Sequence, residues 1–306
     1  MKKTVARRTS QSGPVVGTPD NVLRLAVPNK GRISQPILDL MEKSGLHLDG
    51  AAERRLIAKT CDPHVEVLFA RPIDIPEYVA TGAADIGITG QDMVAERDVA
   101  VEELLDLQIG HARMVLAVKD DSRITKITQL DKAKIATEFP VITRKFFEEN
   151  NLSAEIVPVG GACEVTPHLG IADAIVDLTS SGTTLKSNRL RIIAEVMTTR
   201  TVLIANLQAR KKKRAKVDEI VLAFESVVRA KGQCYLMMNI QRSRLDDIRN
   251  VLPGLSGPTV MEVASREDLV AVHAVVAEER VYQLISQLKK AGAKDILVMS
   301  IQRMIR

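Results

Sequence analysis

A run of hydroxyl residues and one glycine follows an apolar stretch in the middle of the chain. The run, Thr179-Ser-Ser-Gly-Thr-Thr184, comes directly after residues 174–178, whose composition is typical of a buried strand. A helix is predicted to begin near Thr183. Backbone N–H groups at a helix start lack intrahelical partners, and hydroxyls supply further donors, so the run is suited to bind phosphate. Gly182 permits a tight turn close to such a ligand.

Two carboxylates precede this hydroxyl run. Asp173 and Asp177 are four residues apart, so in a strand they share a face, and we expect them to flank the run. Together these features suggest a phosphorylated polyhydroxy ligand, with the carboxylates near ribose hydroxyls or a metal. The alternative is a strand–turn–helix connection in which Ser and Thr act only as helix caps. The motif alone favours neither interpretation.

Cationic residues follow two other predicted strands. Lys30-Gly-Arg32 comes after the apolar residues 23–27, and Arg71 comes after residues 65–70. Arginine suits bidentate contacts with phosphate, and lysine provides point-charge neutralisation. Loops at the carboxyl ends of strands are where open α/β sheets bind ligands, so we expect these cations at a cleft. Solvated turns are the alternative.

Three acids complete the set of candidate ligand contacts. Asp92 stands at a predicted helix start, where a capping role is the alternative. Glu138 and Glu164 are in loops near the expected cleft, and solvent exposure alone would also explain their positions. The histidines lack the spacing of a zinc helix, and the motifs of a Walker nucleotide site and of a serine-hydrolase elbow are absent from the sequence.

Strands that alternate with helices predict an α/β fold with two lobes, each built on a largely parallel sheet. A cleft between two such lobes is a natural ligand site. After residue 230 the order of predicted elements becomes βαββαβ, which is typical of a ferredoxin-like domain. The predicted divisions are a disordered tail at 1–20, lobe I at 21–110 and 198–225, lobe II at 111–197, and a C-terminal domain at 226–306.

The amino-acid composition restricts the classes of molecule that this protein is expected to bind. The 306 residues carry a formal net charge of +5, but aromatic residues make up 3% and tryptophan is absent, so stacking platforms for single-stranded nucleic acid are poorly supplied. The basic run at 210–216 is interpreted as a solvated helix, with nucleic-acid binding as the alternative. Three distant cysteines, no apolar run long enough to span a membrane and no secretory signal predict a cytoplasmic protein without a membrane partner.

Six segments of the catalytic half match a known family in order. The chain resembles ATP phosphoribosyltransferase, the first enzyme of histidine biosynthesis, in its long form, over residues 23–306. The segments are Lys30-Gly-Arg32, Arg71-Pro-Ile-Asp-Ile-Pro76, Asp85-Ile-Gly-Ile-Thr-Gly90, Ala136-Thr-Glu-Phe-Pro140, Glu164-Val-Thr-Pro-His-Leu-Gly170 and Ala172–Leu185. The C-terminal matches are Leu236-Met-Met-Asn239, Leu252-Pro-Gly-Leu255, Gly257-Pro-Thr259 and Ala291-Gly-Ala293.

The resemblance implies a reaction and assigns residues to it. A phosphoribosyl group passes from phosphoribosyl pyrophosphate (PRPP) to N1 of ATP, with Mg²⁺ held mainly by the pyrophosphate of PRPP. The fold implied for the catalytic region resembles type II periplasmic binding proteins. The implied catalytic residues are Lys30, Arg32, Arg71, Asp173 and Asp177. The implied PRPP contacts are Asp173, Asp177, Thr179, Ser180, Ser181, Gly182, Thr183 and Thr184. The implied ATP contacts are Lys30, Gly31, Arg32, Arg71, Asp92, Glu138 and Glu164.

The resemblance also implies regulation by histidine, which inhibits the family's long form through its C-terminal domain. The candidate histidine contacts are Asn239, Leu255, Thr259 and Asp295. Homo-oligomers from dimer to hexamer are expected, and nucleic acid is not an expected partner. A two-lobed binding protein that holds a phosphorylated ligand without reacting it is the competing class.

Overall fold

A computed structural model describes residues 21–49, 56–252, 257–264 and 266–305. The predicted disordered tail at 1–20 and the predicted histidine contact Leu255 lie outside the described residues. The chain divides into two compact units, one that ends at Val221 and one that begins at Leu222. Within the described ranges, none of the helices combines the length and apolarity needed to cross a membrane.

Lobe I, in the first unit, is built on a six-stranded sheet whose order is β2-β3-β1-β4-β11-β5. Helix α1 buries Ile37, Leu40 and Met41 and ends at Gly45, whose φ of 86° is left-handed. The strands are β1 Leu23–Pro28, β2 Ile57–Lys59, β3 Val65–Ala70, β4 Ile86–Gly90, β5 Glu102–Asp106 and β11 Thr201–Ala205. The helices are α1 Ser34–Ser44, α2 Ile75–Ala80 and α3 Gln91–Arg97.

Lobe II is built on a five-stranded sheet whose order is β10-β6-β9-β7-β8. Its apolar strands are covered on one face by a core that includes Phe139, Ile142 and Phe147. The strands are β6 Ala112–Lys119, β7 Ala133–Thr137, β8 Ala154–Pro158, β9 Ala174–Thr179 and β10 Leu190–Thr199. The helices are α4 Pro140–Glu149 and α5 Thr183–Ser187.

Both sheets are mixed, so the prediction of largely parallel sheets is wrong. In lobe I, β1 pairs in parallel with β3 and β4, whereas β2, β11 and β5 add antiparallel pairs. In lobe II, β7 pairs in parallel with β8 and β9, and β6 pairs antiparallel with β9 and β10. Strands β6 and β11 each lie next to a crossing between the lobes and run against the strands built from strand–helix–strand units. Strand β2 adds an antiparallel pair with β3 at the edge of the lobe I sheet.

The two crossings lie side by side. The first connects β5 to β6 and the second connects β10 to β11. The backbone N–H of Leu107 donates to the carbonyl of Thr201, and that of Thr201 donates to the carbonyl of Ile109, each over 3.0 Å. The crossings therefore form one paired region, and the chain returns to the lobe I sheet at Thr201.

The basic run at 210–216 begins in α6 Leu207–Lys212 and continues into α7 Arg214–Ala230. The interpretation as a solvated helix is correct for part of it and wrong for the rest. Lys211, Lys212 and Arg214 are exposed, whereas three other cations reach lobe I carboxylates. These pairs are Arg210 with Glu102, Lys213 with Asp85 and Lys216 with Asp62. Half of the run is thus neutralised within the protein.

The second unit contains a βαββαβ domain with sheet order β13-β14-β12-β15 and antiparallel pairing throughout. This arrangement confirms the ferredoxin-like prediction. Alternate residues of β12 and β14 pack on the helices, with Leu236, Met238, Val270 and Val272 fully buried. The elements are β12 Gln233–Gln241, α8 Leu245–Val251, β13 Thr259–Glu262, β14 Leu269–Ala277, α9 Val281–Lys290 and β15 Lys294–Ser300.

Candidate active site

The hydroxyl turn, residues 179–184, connects β9 to α5. Thr179 is buried, and its Oγ1 accepts a hydrogen bond from the N–H of Gly182 over 2.9 Å, which closes the turn. Gly182 has a φ of 76°, a conformation that side chains disfavour. Ser181 and Thr183 share a hydrogen bond between their hydroxyls. Thr179 therefore shapes the turn from within, while Ser180, Ser181, Thr183 and Thr184 are exposed on it.

Asp177 lies two residues before this turn, in the neighbourhood of two other carboxylates. Burial raises its pKa to about 6, and the charges of Glu164 and Glu138 contribute in the same direction. The N–H of Leu178, 2.7 Å from Oδ1, opposes the shift. Glu138 and Glu164, predicted from loop positions alone, are thus brought to the same side of the turn as Asp177. A carboxylate held in this way ionises near neutral pH.

Asp173 is not close to the turn. It precedes β9, and its Oδ2 accepts a hydrogen bond from the backbone N–H of Lys134 at the start of β7. Asp177 follows it by four positions, which corresponds to roughly 13 Å along the strand. Sharing a face therefore does not bring the two acids together, and the expectation that both flank the turn is wrong for Asp173. Its contact is structural, because it ties the starts of two parallel strands.

Lys30, Gly31 and Arg32 line a pocket in the cleft between the lobes. They form the exposed loop after β1, and Gly31 has a φ of 97°. The Nη1 of Arg32 donates to Ser180 Oγ of the hydroxyl turn over 3.0 Å. The pocket is lined by Lys30, Gly31, Arg32, Ile33, Pro72, Gly90, Asp92, Met93, Gly110, Ala112, Leu178, Thr199, Arg200 and Thr201. The sequence-predicted cations at 30 and 32 are therefore brought together with the end of β9.

Arg71 is oriented by its own neighbours rather than by this pocket. Its Nε lies 2.7 Å from Asp74 Oδ2, and Asp74 also pairs with Arg97. The side chain of Arg71 is exposed, at 63%. It follows β3 as predicted, but it does not line the cleft pocket. An exposed ion pair of this kind constrains the guanidinium only weakly.

Asp92 lines the pocket from the first turn of α3. It is only 4% exposed, and its Oδ1 accepts a hydrogen bond from Thr199 Oγ1 over 2.7 Å. Its own N–H donates to the same hydroxyl oxygen. Burial raises the pKa of Asp92 above its ordinary value, and the Thr199 hydrogen bond opposes that shift. Asp92 therefore links the start of α3, which forms part of the pocket wall, to the end of β10.

Among the pocket residues that were not predicted from the sequence, three are consecutive: Thr199, Arg200 and Thr201. They form the second crossing between the lobes. The guanidinium of Arg200 contacts Glu103 and Asp106 on β5, and its carbonyl accepts the N–H of Gln91 at the start of α3. The only signal in the sequence is a short polar interruption between two apolar strands. It does not indicate that both lobes meet there.

The described residues contain no group of three or more His, Cys, Asp and Glu side chains arranged to hold a metal ion. The nearest arrangement to one is the Asp177 neighbourhood with Glu138 and Glu164. Cys163 lies there too, but its buried thiol donates to the carbonyl of Ala136, and burial raises its pKa above the ordinary value. This set suits an ion that arrives with its own phosphate ligands better than a preformed metal cage.

Two of the predicted histidine contacts meet in the C-terminal unit. The amide Nδ2 of Asn239 on β12 donates to Asp295 Oδ2 on β15 over 3.0 Å. Thr259 is exposed on β13 opposite His273 of β14, which forms a hydrogen bond with Tyr235. These polar residues lie on the same four-stranded sheet that contributes apolar side chains to the core of the domain. Asn239 and Asp295 thus form one polar pair on it.

Known proteins match this chain over most of its length. The family model for ATP phosphoribosyltransferase matches residues 71–226, and that for its C-terminal domain matches residues 230–303. An ATP phosphoribosyltransferase from Methanococcoides burtonii is 51% identical over 284 residues, covering 93% of this chain and all of the relative.

Solved structures also match. A chain of an ATP phosphoribosyl transferase (HisG:HisZ) complex from Thermotoga maritima is 30% identical, with a TM-score of 0.62 over 68% of this chain and 99% of that chain. A lower similarity, with a TM-score of 0.44 and 15% identity over 67% of this chain and 92% of that chain, is found to a substrate binding protein of an amino acid ABC transporter.

Proposed function

Because the chain belongs to the ATP phosphoribosyltransferase family, in the long form that carries the C-terminal domain, we propose that it transfers the phosphoribosyl group of PRPP to N1 of ATP and releases pyrophosphate. The observation that carries this reaction is the contact of Arg32 in lobe I with Ser180 in the hydroxyl turn of lobe II. Cations from one lobe and hydroxyl donors from the other converge there on one cleft, as a substrate with two phosphate groups requires.

The hydroxyl turn is proposed to bind the 5′-phosphate of PRPP. Ser180, Ser181, Thr183 and Thr184 are exposed on it and offer hydroxyl donors, and the backbone N–H groups that open α5 add others. The internal hydrogen bond from Gly182 to Thr179 supports this role, because a turn that is already ordered loses little entropy on binding.

Asp177 is proposed to accept hydrogen bonds from the ribose hydroxyls. It precedes the turn by two residues, so it would lie near the ribose of a ligand whose 5′-phosphate is bound by the turn. Its pKa of about 6 leaves the carboxylate ionised above that pH. A negative charge beside the ribose also favours the oxocarbenium-like centre that develops as pyrophosphate leaves. Asp173 is not included in this proposal, because its carboxylate accepts a hydrogen bond from the backbone N–H of Lys134 instead.

Lys30 and Arg32 are proposed to neutralise the phosphates of ATP and of the departing pyrophosphate. Both are exposed in the cleft loop, and a guanidinium suits two phosphate oxygens at once. Asp92, Glu138 and Glu164 remain candidate ATP contacts from the cleft walls. Catalysis by this site is positional and electrostatic, because ATP itself provides the nucleophilic nitrogen and the enzyme holds the two substrates in line.

Mg²⁺ is proposed to enter with PRPP, held mainly by its pyrophosphate oxygens. When bound, it would neutralise charge on the leaving group. Magnesium commonly takes one or two protein carboxylates together with substrate phosphates, and Asp177, Glu138 and Glu164 are the carboxylates that share the neighbourhood of the turn. This donor set fits such a shared ion.

The C-terminal domain is proposed to bind histidine and to inhibit the enzyme. The Asn239–Asp295 pair supports a site on its sheet, because an amide and a carboxylate together match the carboxylate and ammonium groups of an amino acid. Coupling to the catalytic cleft would act through a homo-oligomer, in which effector binding shifts a quaternary equilibrium. A cytoplasmic location is part of the same proposal.

The test is a turnover assay with ATP, PRPP and Mg²⁺, with and without histidine. Formation of phosphoribosyl-ATP and pyrophosphate is expected, with inhibition by histidine. Binding of both substrates without any product would instead identify a two-lobed binding protein and would refute the transferase reaction. Turnover that histidine leaves unchanged would refute only the regulatory part.

A further inference from the structure

Helix α3 belongs to lobe I in sequence but is packed between the two lobes. It starts at Gln91, directly after β4 of the lobe I sheet. Val94 packs against the core of lobe I, whereas Met93 and Ala95 pack against the core of lobe II. The helix therefore packs against the cores of both lobes, and its position and theirs are mutually dependent.

Glu96, near the end of α3, reaches the start of α4 in lobe II. Its carboxylate accepts hydrogen bonds from the N–H of Val141 over 3.0 and 3.1 Å and from the N–H of Ile142 over 3.0 Å. The residue is only 9% exposed. The position before α4, Phe139, makes no side-chain cap, so Glu96 provides a cap from another lobe. A carboxylate at a helix N-terminus is favoured by both the free N–H groups and the helix dipole.

The start of α4 is also the end of a turn that faces the cleft. This turn follows β7 and contains Thr137, Glu138 and Phe139. The N–H of Phe139 donates to Thr137 Oγ1, which holds the turn tightly. Glu138 in this turn is close enough to Asp177 for its charge to help raise the pKa of that carboxyl, together with burial and the charge of Glu164. A constraint on the first turn of α4 is therefore a constraint on a cleft wall of lobe II.

The two ends of α3 are both held by lobe II. At its start, Asp92 is hydrogen-bonded to Thr199 at the end of β10, and at its last turn Glu96 caps α4. A helix fixed at two points cannot rotate against lobe II without breaking a buried hydrogen bond, and a buried acceptor or donor left unpaired is costly. The lobes are thus joined by more than the two chain crossings.

We infer that Glu96 is a positioning residue, which fixes the orientation of lobe II relative to lobe I by capping α4 across the lobe boundary and thereby aligns the hydroxyl turn with Arg32. This role rests on the proposed phosphoribosyl transfer. Glu96 touches neither substrate in this role. It acts through α3 and α4 on the geometry of the cleft, where small displacements of reacting groups reduce the rate strongly.

Glu96→Gln is the informative variant, because it keeps the size of the side chain while it replaces one acceptor oxygen by an NH₂ donor and removes the negative charge at the start of α4. Asp131→Asn is the matched control. Asp131 Oδ1 also accepts a backbone N–H, that of Ser153, over 3.0 Å, but both residues belong to lobe II. The control therefore alters a carboxylate that accepts a backbone N–H on the surface of lobe II, without crossing the lobe boundary.

Two readouts are needed. The first is steady-state turnover, in which Glu96→Gln is expected to lower kcat roughly tenfold or more while KM for PRPP changes less than about threefold, because the proposed contacts to the 5′-phosphate and the ribose of PRPP all lie within lobe II. The second is the distribution of distances between spin labels at Glu42→Cys on α1 and Glu149→Cys on α4, in a Cys61→Ser background. Both label positions are exposed, and Cys61 is the exposed cysteine within the described residues.

The distance distribution is expected to shift or broaden in Glu96→Gln and to stay unchanged in Asp131→Asn. An unchanged kcat, a lowered kcat with an unchanged distance distribution, or an equal loss in Asp131→Asn would each overturn the inference. If Glu96→Gln does not fold, Glu96→Asp, which shortens the reach by one methylene, is measured against the same expectations. A wild-type protein without turnover would refute the proposed function, and the label distances alone would then decide the role of Glu96.

Discussion

The guanidinium of Arg32 donates a hydrogen bond to the hydroxyl of Ser180, with 3.0 Å between Nη1 and Oγ. The two residues are 148 positions apart in the sequence and belong to different lobes. Arg32 comes from the loop after β1, and Ser180 comes from the hydroxyl turn after β9. One exposed contact therefore joins the cationic side of the cleft to its hydroxyl side.

Replacement of Arg32 by Gln is expected to lower kcat/KM by roughly 10²-fold, because a cation aimed at developing phosphate charge is lost from a preorganised site. The free energy of unfolding should change by less than about 0.5 kcal/mol, since the residue is exposed. Steady-state kinetics and urea unfolding measure the two effects. Ser180→Ala, which leaves the guanidinium in place, is the matched control with a smaller expected loss. Equal kinetics for Arg32→Gln and wild type would contradict the role.

Asp177→Asn is expected to impair turnover while the protein still folds, because a neutral amide cannot supply the negative charge beside the ribose. In the wild type, turnover should also fall as the pH drops below about 6, where this carboxylate becomes protonated. The pH profile of kcat in both proteins is the measurement. The acidic limb should be missing from the low residual activity of the variant, and an unchanged kcat would remove Asp177 from the PRPP site.

The free energy of unfolding should also depend on the protonation of Asp177. The pKa of Asp177 is raised from 3.8 to about 6 in the folded protein, so the protonated carboxyl favours folding. That contribution is complete below pH 3.8 and is lost as the pH rises through about 6. Between pH 4 and pH 7, Asp177→Asn should therefore gain up to about 3 kcal/mol in unfolding free energy relative to wild type. A constant difference across this range would disprove the shift.

Asp85→Asn tests the buried ion pair of the basic run. Asp85 Oδ2 lies 2.9 Å from Lys213 Nζ and also accepts the N–H of Arg24, and the side chains of the pair are 8% and 13% exposed. Loss of one buried charge should reduce the unfolding free energy by about 3–5 kcal/mol. Turnover per folded molecule should be preserved, because Asp85 precedes β4 at the end away from the cleft.

The control for this pair is Arg214→Ala in the same basic run. Arg214 is 77% exposed and lies 3.5 Å from Asp218, so its loss should cost at most about 0.5 kcal/mol. Denaturant unfolding of both variants gives the comparison. Similar small losses in the two proteins would mean that the Asp85–Lys213 pair contributes no more than a surface contact.

Asp295→Ala is expected to weaken inhibition by histidine while turnover without histidine stays unchanged. It removes the partner of Asn239 in the C-terminal domain and leaves the catalytic unit intact. Inhibition curves at fixed substrate concentration measure the shift, with Glu278→Ala, exposed on the same domain, as control. Inhibition that is identical in wild type and Asp295→Ala would locate the effector site elsewhere.

Local elements were largely predictable from the sequence. The strand at Ala174–Thr179, the turn at Gly182 and the helix at Thr183 follow from an apolar run, a residue that tolerates positive φ and a cluster of hydroxyls. The ferredoxin-like domain followed from the order and periodicity of its elements. The family could also be recognised from motifs in order, and the comparisons confirm it.

Relationships between distant segments were not predictable in the same way. The four-residue spacing of Asp173 and Asp177 places them on one face of a strand, yet the length of that strand separates Asp173 from the turn. The basic run was interpreted as solvated because the carboxylates that pair with it, such as Asp62 and Asp85, are far away in sequence. The short polar interruption at Thr199 and Arg200 did not indicate a crossing between the lobes, because such a crossing has no characteristic amino-acid composition.

The sequence by itself determined the elements, the family and the types of residue that meet the ligands, because periodicity and turn chemistry are local properties. Only the tertiary structure decided which of those residues meet. Arg32 reaches Ser180, and Glu96 caps α4, because two chain crossings bring lobes together that share no local sequence. The pKa of Asp177 has the same origin, since burial and the nearby Glu138 and Glu164 are properties of the folded cleft.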